Sequence, residues 1–261
     1  MSIALSKPIP SHSAQPLTKP RVALLITGVH LVASLIIGAG SAAAQTVNNE
    51  WEMLLQSPLR LDKDLAQDPT RKPLDLLRFT KVRPGWRVMD VYSGGGYTAQ
   101  LMALAVGPNG KVYAQTDKPS KSLEERLSLR PQSNIELLQR PMDDLVPPNS
   151  DKLDLITLIY SYHDIAFMPI DRLKMDKSIY DALKYGGLFV IIDHSAEEGS
   201  GLRDIRTLHR IDRKLVIQDF LSVGFKLEQE GDFLQNQLDP RDQASGKMNP
   251  PADGFVLRLK K

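Results

Sequence analysis

The sequence contains no cysteine. That absence excludes a disulfide framework, a thiolate zinc site, an iron–sulfur cluster and a cysteine nucleophile. Any chemistry must therefore use oxygen and nitrogen groups. Aromatic residues are also few, at 6% of the 261 residues, while 42% of the residues are hydrophobic and 25% are charged. This composition is typical of a globular protein and excludes collagen-like, coiled-coil and strongly disordered chains.

The chain also lacks a basic excess once its N-terminus is set aside. The formal net charge is +2, but residues 1–44 contain Lys7, Lys19 and Arg21 and no acidic residue. Residues 45–261 consequently hold 30 basic and 31 acidic side chains. A nearly neutral chain gives no support for a nucleic-acid-binding surface, so no nucleic-acid partner is expected.

One long apolar run is present, and it lies near the N-terminus. Residues 22–38 are almost wholly apolar, follow a cationic stretch and precede small residues that end at Ala44. This pattern predicts a secretory signal peptide over residues 1–44 and an exported, periplasmic protein. The alternative is an uncleaved inner-membrane anchor over residues 22–44, because a helix of that length spans a hydrocarbon core of about 30 Å.

The remaining chain shows no internal repeat and is long enough for one sizeable core. We predict an N-terminal helical segment over residues 45–80 and one domain over residues 81–261. In this domain, apolar strand-like runs alternate with helical stretches, which indicates a doubly wound α/β fold with a mostly parallel sheet. A helical pattern over residues 179–185 is expected to end at Gly186-Gly187.

Chemistry-bearing residues directly follow five of the predicted strands. In open α/β sheets, ligands bind beyond the carboxyl ends of the strands, so these residues are expected to share one edge of the sheet. In chain order they are Asp90 and Ser93-Gly94-Gly95-Gly96, then Asp117, then Asp143 and Asp144, then Tyr162, His163 and Asp164, and finally His194.

This ordered set resembles the class I S-adenosylmethionine (SAM)-dependent methyltransferases, especially a bacterial group with a signal peptide known only as predicted methyltransferases. The resemblance covers residues 69–260. It implies a Rossmann-like seven-stranded sheet whose C-terminal hairpin supplies an antiparallel strand. It also implies SAM as the cofactor and methyl transfer to an unknown small molecule.

The resemblance assigns roles to the residues of the first three strand ends. Glycine lets backbone amides approach a ligand closely, and the next helix N-terminus favours a carboxylate. The chain departs from the family pattern twice, because Tyr92 replaces the first glycine and the acid after strand two lies one residue late. The implied cofactor residues are Asp90 for the amino group, Ser93, Gly94, Gly95 and Gly96 for the carboxylate, Asp117 for the ribose, and Asp143 and Asp144 near the adenine.

The residues after strands four and five form the predicted catalytic set. A neutral His163 imidazole is suited to act as a base near pH 7. Tyr162 and Asp164 are expected to orient the substrate or the histidine, and His194 completes the set. No metal ligand belongs to this leading prediction.

Two alternatives stay open, because SAM is made in the cytoplasm and an exported protein lacks an obvious supply. In the first, His163, His194 and His209 bind zinc or another divalent metal. In the second, the chain is a non-catalytic binding module that uses the long loop over residues 236–253.

Overall fold

The computed structural model describes residues 50–146 and 150–261. The predicted signal peptide or membrane anchor lies outside these residues. Within the described part of the chain, no helix is long and apolar enough to cross a membrane. The division into a helical segment over residues 45–80 and a domain over residues 81–261 stays a prediction.

Seven strands form one sheet. They are β1 (Arg87–Val91), β2 (Lys111–Thr116), β3 (Ile135–Gln139), β4 (Leu153–Ile159), β5 (Leu183–His194), β6 (Lys226–Gly231) and β7 (Gly254–Lys260). Their order across the sheet is β3-β2-β1-β4-β5-β7-β6. Strands β1 to β5 are parallel, whereas β7 is antiparallel to both β5 and β6. The predicted mostly parallel sheet with an antiparallel hairpin strand is confirmed.

Helices cover both faces of this sheet. Several begin where a polar side chain accepts a hydrogen bond from the first turn, as Ser120, Asp171 and Asp212 do. Residues 50–55 are helical. The other helices are α1 (Asp62–Leu65), α2 (Asp68–Arg71), α3 (Pro73–Thr80), α4 (Tyr97–Val106), α5 (Lys121–Leu129), α6 (Tyr162–Ile165), α7 (Arg172–Ala182) and α8 (Arg213–Ser222), with a 3-10 turn at Ser245–Lys247.

The hydrophobic core is divided by the sheet into two layers. Successive residues of a strand point to opposite faces, so Val88 packs in one layer and Met89 in the other. Helices α3 and α4 cover the layer that contains Val88, and α7 and α8 cover the layer that contains Met89. Burial on both faces explains why the central strands are almost continuously apolar.

The structure corrects two local predictions. Helix α7 ends at Ala182, and residues 183–185 belong to β5 rather than to a helix, because Leu183 pairs with Leu153 and the register shifts before Leu155. The apolar runs in the sequence predict strands over residues 87–92 and 153–160, but β1 and β4 each end one residue earlier. The residue that follows each of them, Tyr92 or Tyr160, has a left-handed backbone with φ of +52° or +56° and cannot continue the strand.

Candidate active site

The loop after β1, residues 92–96, turns sharply at the carboxyl edge of the sheet. Its backbone is left-handed at Tyr92, Gly94 and Gly96. The turn is anchored to β2, because Gln115 accepts hydrogen bonds from the backbone N–H groups of Tyr92 (3.0 Å, through Oε1) and Ser93 (2.9 Å, through its carbonyl). A non-glycine residue in the left-handed region is uncommon, so Tyr92 adopts the backbone conformation typical of the glycine it replaces.

The three predicted glycines have different surroundings. A Cβ on Gly96 would lie 2.7 Å from Leu123, and one on Gly95 would lie 3.1 Å from the Ser122 hydroxyl. Both positions therefore let α5 pack closely against the loop. A Cβ on Gly94 would meet only a carbonyl oxygen at 4.0 Å. Gly94 is thus the member of the triplet whose missing side chain leaves open space.

A buried ion pair fixes this loop to the N-terminal helices. Arg126 of α5 and Asp64 of α1 lie 2.6 Å apart with side chains 3% and 2% exposed. Arg126 also donates from Nε to the Gly95 carbonyl at 2.6 Å and bonds to Gln100. Burial opposes ionisation of Asp64, but the Arg126 guanidinium holds the pKa of that carboxyl below its usual value. The loop is therefore held rigidly before any ligand binds.

Asp90 is the acidic residue of β1, and its buried carboxyl group lies at the base of the loop. The Thr157 hydroxyl of β4 donates to its Oδ1 at 2.8 Å. Burial raises the pKa of Asp90 to about 6. Hydrogen bonds from Thr157, Ser93 and the Ala99 backbone N–H, together with the charge of Arg71, lower the pKa but do not outweigh burial. A carboxylate kept in so poorly solvated a place gains from a cationic partner.

The remaining predicted cofactor residues lie farther out. Asp117 is exposed after β2 and accepts a hydrogen bond from the next backbone N–H group at 2.8 Å. Asp143 pairs with Lys174 at 3.2 Å, and Asp144 pairs with Arg140. The structure thus brings Asp90, Ser93 and the glycines together, whereas the carboxylates of Asp143 and Asp144 have other partners. Their roles at the cofactor stay predictions.

Tyr92 borders the open space beside Gly94. Burial raises the pKa of its phenol, and the nearby carboxylates of Asp117 and Asp164 raise it further. Because Asp117 follows β2 and Asp164 follows β4, the phenol lies between these two strand ends. Its ring is only partly buried and packs against the core layer that contains Met89.

His163 is held between two carboxylates. The Asp193 side chain, fully buried at the end of β5, lies 2.7 Å from Nδ1 and also accepts from the His163 backbone N–H at 2.9 Å. Asp164 lies 3.3 Å from Nε2. Burial lowers the pKa of His163, but the hydrogen bonds and charges of Asp164 and Asp193 outweigh it and raise the pKa to about 10. This protonated ring differs from the neutral base expected from the sequence.

His194 has the opposite environment. Burial lowers its pKa to about 4, despite the opposing charge of Asp193, so the ring is neutral at pH 7. Its ring stacks on Tyr160 with centroids 4.6 Å apart. The Nδ1 atom is buried and has no hydrogen-bond partner among the described residues. Most buried polar atoms in folded proteins have a hydrogen-bond partner, so the unpartnered Nδ1 atom makes His194 unusual.

A cavity of about 620 Å³ opens beside His194. Arg71 connects it to the loop, because its guanidinium lies 5.5 Å from the Tyr160 ring centroid and 4.8 Å from that of Tyr97, the first residue of α4. The lining residues are Ala66, Gln67, Pro69, Thr70, Arg71, Lys72, Tyr160, His194, Phe233, Leu234, Gln235, Asn236, Pro250, Pro251 and Ala252. The long loop over residues 236–253 therefore contributes one wall.

Tyr162 points away from this cavity. Its hydroxyl lies 3.0 Å from both Asp176 of α7 and Asp219 of α8. The three side chains thus form a polar cluster between α7 and α8. Burial in this cluster raises the pKa of Asp176 to about 7. The catalytic role predicted for Tyr162 stays a prediction, and the structure shows a packing role for its hydroxyl.

The sequence prediction gave neither Asp193 nor Tyr160 a role in the site. An acid inside an apolar strand run is a usable signal, because a buried carboxylate needs a partner, and here that partner is His163. Tyr160 gave no signal, since its contact with His194 depends on the left-handed turn after β4.

Residues 71–209, which include the loop after β1 and all three described histidines, match the model of the ubiE/COQ5 methyltransferase family. The chain belongs to this family. Members of the ubiE/COQ5 family use SAM, so the resemblance found in the sequence is confirmed at the level of the family.

Individual relatives are distant. A demethylmenaquinone methyltransferase from Lysinibacillus sphaericus is 26% identical over 165 residues, which are 63% of this chain and 67% of that protein. A protein-L-isoaspartate O-methyltransferase from Ignicoccus hospitalis is 26% identical over 152 residues, 58% of this chain and 65% of that protein. The chain thus spans about two thirds of the length of these curated relatives.

Solved structures share the fold. A SAM-dependent methyltransferase from Aquifex aeolicus aligns with a TM-score of 0.55 and 16% identity over 82% of this chain and 97% of its own. One from Mesorhizobium loti aligns with a TM-score of 0.52 and 17% identity over 72% and 97%. At these identities the likeness establishes the methyltransferase Rossmann-like fold alone.

Proposed function

We propose that this protein transfers the methyl group of SAM to an ionisable hydroxyl of a small molecule bound in the 620 Å³ cavity beside His194, which we call the acceptor cavity. The observation that carries the proposal is the neutral imidazole of His194, which lines this cavity. It occurs in a chain whose family uses SAM.

The loop over residues 92–96 fits the amino-acid end of SAM. Gly94 supplies open space on a left-handed backbone, and the N-terminus of the ten-residue helix α4 follows directly. The N–H groups at the start of this helix favour a carboxylate, and that of Ala99 already bonds to Asp90. Buried Asp90 lies at the base of the same loop and favours a cationic amino group. Asp117 is the candidate for the ribose hydroxyls.

When bound, SAM supplies a methyl group on a positively charged sulfur, which a nucleophilic oxygen attacks in line. The protein must position the acceptor hydroxyl, exclude water and remove one proton. The neutral ring of His194 can accept this proton at whichever of its two nitrogens carries no hydrogen. Stacking on Tyr160 holds the ring in place. In the absence of a metal ion His163 is protonated, and it then contributes charge and positioning.

The lining of the acceptor cavity indicates the substrate class. Tyr160, Phe233, Leu234 and the two prolines at 250 and 251 offer an apolar and aromatic wall. Arg71 adds a cation that stabilises a developing oxyanion. A phenol or a similar hydroxylated aromatic compound combines both properties. Three of the curated relatives are demethylmenaquinone methyltransferases, which supports an aromatic acceptor, although the fourth is a protein-L-isoaspartate O-methyltransferase.

The test is methyl transfer from SAM to a panel of phenols and hydroxynaphthoquinones, read by mass spectrometry with the full chain. We expect O-methylated product from the wild type. His194→Gln is expected to lower kcat about 10²–10⁴-fold, the usual effect of losing a general base, with the affinity for SAM unchanged. Product formation at the wild-type rate in His194→Gln would exclude His194 as the base.

We further propose that the protein is exported and periplasmic, with an inner-membrane anchor over residues 22–44 as the alternative. The cationic N-terminus and the apolar run before Ala44 support this. Mass spectrometry of the cellular protein should find Gln45 as the first residue. An intact N-terminus in the soluble cytoplasmic fraction would contradict export and would remove the difficulty of SAM supply.

A further inference from the structure

We propose that His163, Asp164 and His209 bind a zinc ion. One potential ligand atom from each of these residues lies within 4.8 Å of the others. The site is separate from the unpartnered nitrogen of His194 and does not depend on methyl transfer.

The spacing of the three side chains suits tetrahedral coordination. Asp164 Oδ1 lies 3.3 Å from His163 Nε2 and 3.5 Å from His209 Nδ1. A tetrahedral zinc ion with bonds of about 2.0–2.1 Å places its ligand atoms about 3.3–3.4 Å apart. Both measured separations therefore match an edge of such a tetrahedron, and the two imidazole rings meet nearly edge to face with centroids 5.5 Å apart.

A second carboxylate supports the first ligand. Asp193 contacts His163 at Nδ1, at 2.7 Å, which leaves Nε2 directed at Asp164. Metal-binding histidines almost always bond to a carboxylate, carbonyl or water through the other ring nitrogen, which fixes the ring and its tautomer. Asp193 also accepts from the backbone N–H of His163, so backbone and ring are both held by one buried carboxylate.

The backbone at His209 is held in place by its surroundings, although the His209 side chain is 55% exposed. His209 has a left-handed backbone with φ of +51°. The next residue, Arg210, is completely buried and binds Asp239 at 2.8 Å and the Ser195 carbonyl at 3.0 Å. Strained backbone that its surroundings hold in place is typical of functional sites.

Zinc is the ion that best suits this donor set. Two imidazoles and one carboxylate favour zinc over magnesium or calcium, which prefer oxygen ligands. Three protein ligands leave a fourth position for water or an acceptor oxygen, as in catalytic zinc sites. The Asp164 side chain is 45% exposed, so an ion can enter from solvent.

The experiment uses the full chain, purified with a tag that contains no histidine. Zn²⁺ content after dialysis is measured by elemental mass spectrometry, and Co²⁺ titration is followed by the visible absorption of tetrahedral cobalt. The wild type should bind about one ion per chain. His209→Ala and Asp164→Asn should each weaken binding at least tenfold, and Asp193→Asn about 10–100-fold.

Two variants serve as matched controls. Asp144→Asn removes another exposed, ion-paired carboxylate that follows a strand, and His194→Gln removes a partly buried imidazole; both should keep wild-type zinc affinity. Because the His209 side chain is exposed, replacing it leaves the hydrophobic core unchanged. A loss of zinc binding in His209→Ala is therefore not caused by unfolding. The proposal is overturned if the wild type binds no stoichiometric Zn²⁺, if binding survives in His209→Ala and Asp164→Asn, or if His194→Gln abolishes it.

Discussion

Asp90→Asn separates a cofactor-binding role of this carboxyl from a merely structural one. The folded protein holds the proton of Asp90 up to about pH 6, whereas an unfolded chain releases it near 3.8. Between these values the folded state binds more protons, so the free energy of unfolding decreases as pH rises. Since one pKa unit corresponds to 1.36 kcal/mol, the ionised carboxyl destabilises the fold by about 3 kcal/mol at pH 7 and above.

Asparagine keeps an oxygen to accept the Thr157 hydrogen bond but cannot ionise. The stability of Asp90→Asn relative to the wild type should therefore rise by about 2–3 kcal/mol between pH 4 and pH 7.5. If the new amide group changes the free energy of unfolding by an amount that does not depend on pH, this amount is the same at both pH values and does not contribute to the rise. Urea unfolding at several pH values, followed by the fluorescence of Trp51 and Trp86, measures it.

The same variant should bind SAM at least tenfold more weakly at pH 7.5, because the cationic amino group loses its charged partner. Stability and binding thus change in opposite directions. A stability difference that does not vary with pH would refute the burial argument. Unchanged SAM affinity would show that Asp90 only shapes the turn.

Four further variants test packing, three of them at the loop and one between α7 and α8. Arg126→Met should destabilise the protein by about 3–5 kcal/mol in urea unfolding, because it leaves the buried Asp64 carboxylate unpaired; a loss below 1 kcal/mol would contradict this. Gly96→Ala should cost about 2–5 kcal/mol, since strain and a clash add, whereas Gly94→Ala should cost about 1–2 kcal/mol from strain alone; equal melting temperatures for these two variants would count against the assignment. Tyr162→Phe should cost about 1–3 kcal/mol by removing a hydroxyl shared by two carboxylates, and an unchanged urea midpoint would argue against that cluster.

Much of the fold could be predicted because its signals are local. Buried parallel strands appear as apolar runs of β-branched residues, such as β4 over Leu153–Ile159, and turns such as Gly224 end helices. The error at residues 183–185 has a different origin. That stretch follows a helix directly and becomes a strand only because β4 lies beside it, which is a tertiary contact.

The site could be predicted only in part. Residues after parallel strands do collect at one edge, which brought His163 and His194 together and Asp164 near Tyr92. The protonation of each histidine was beyond sequence reasoning, because it depends on which imidazole receives the Asp193 side chain. The contribution of Arg71 likewise depends on how the N-terminal helices pack on the sheet.

The central claim is that SAM binds at the loop over residues 92–96, and calorimetric titration of the full chain with SAM tests it most directly. We predict micromolar binding by the wild type and none by Gly94→Arg. Gly85→Arg is the matched control, because Gly85 also combines a positive φ with open space but lies in the turn that precedes β1, and it should bind as the wild type does. No heat from the wild type, or equal binding by Gly94→Arg, would contradict the account.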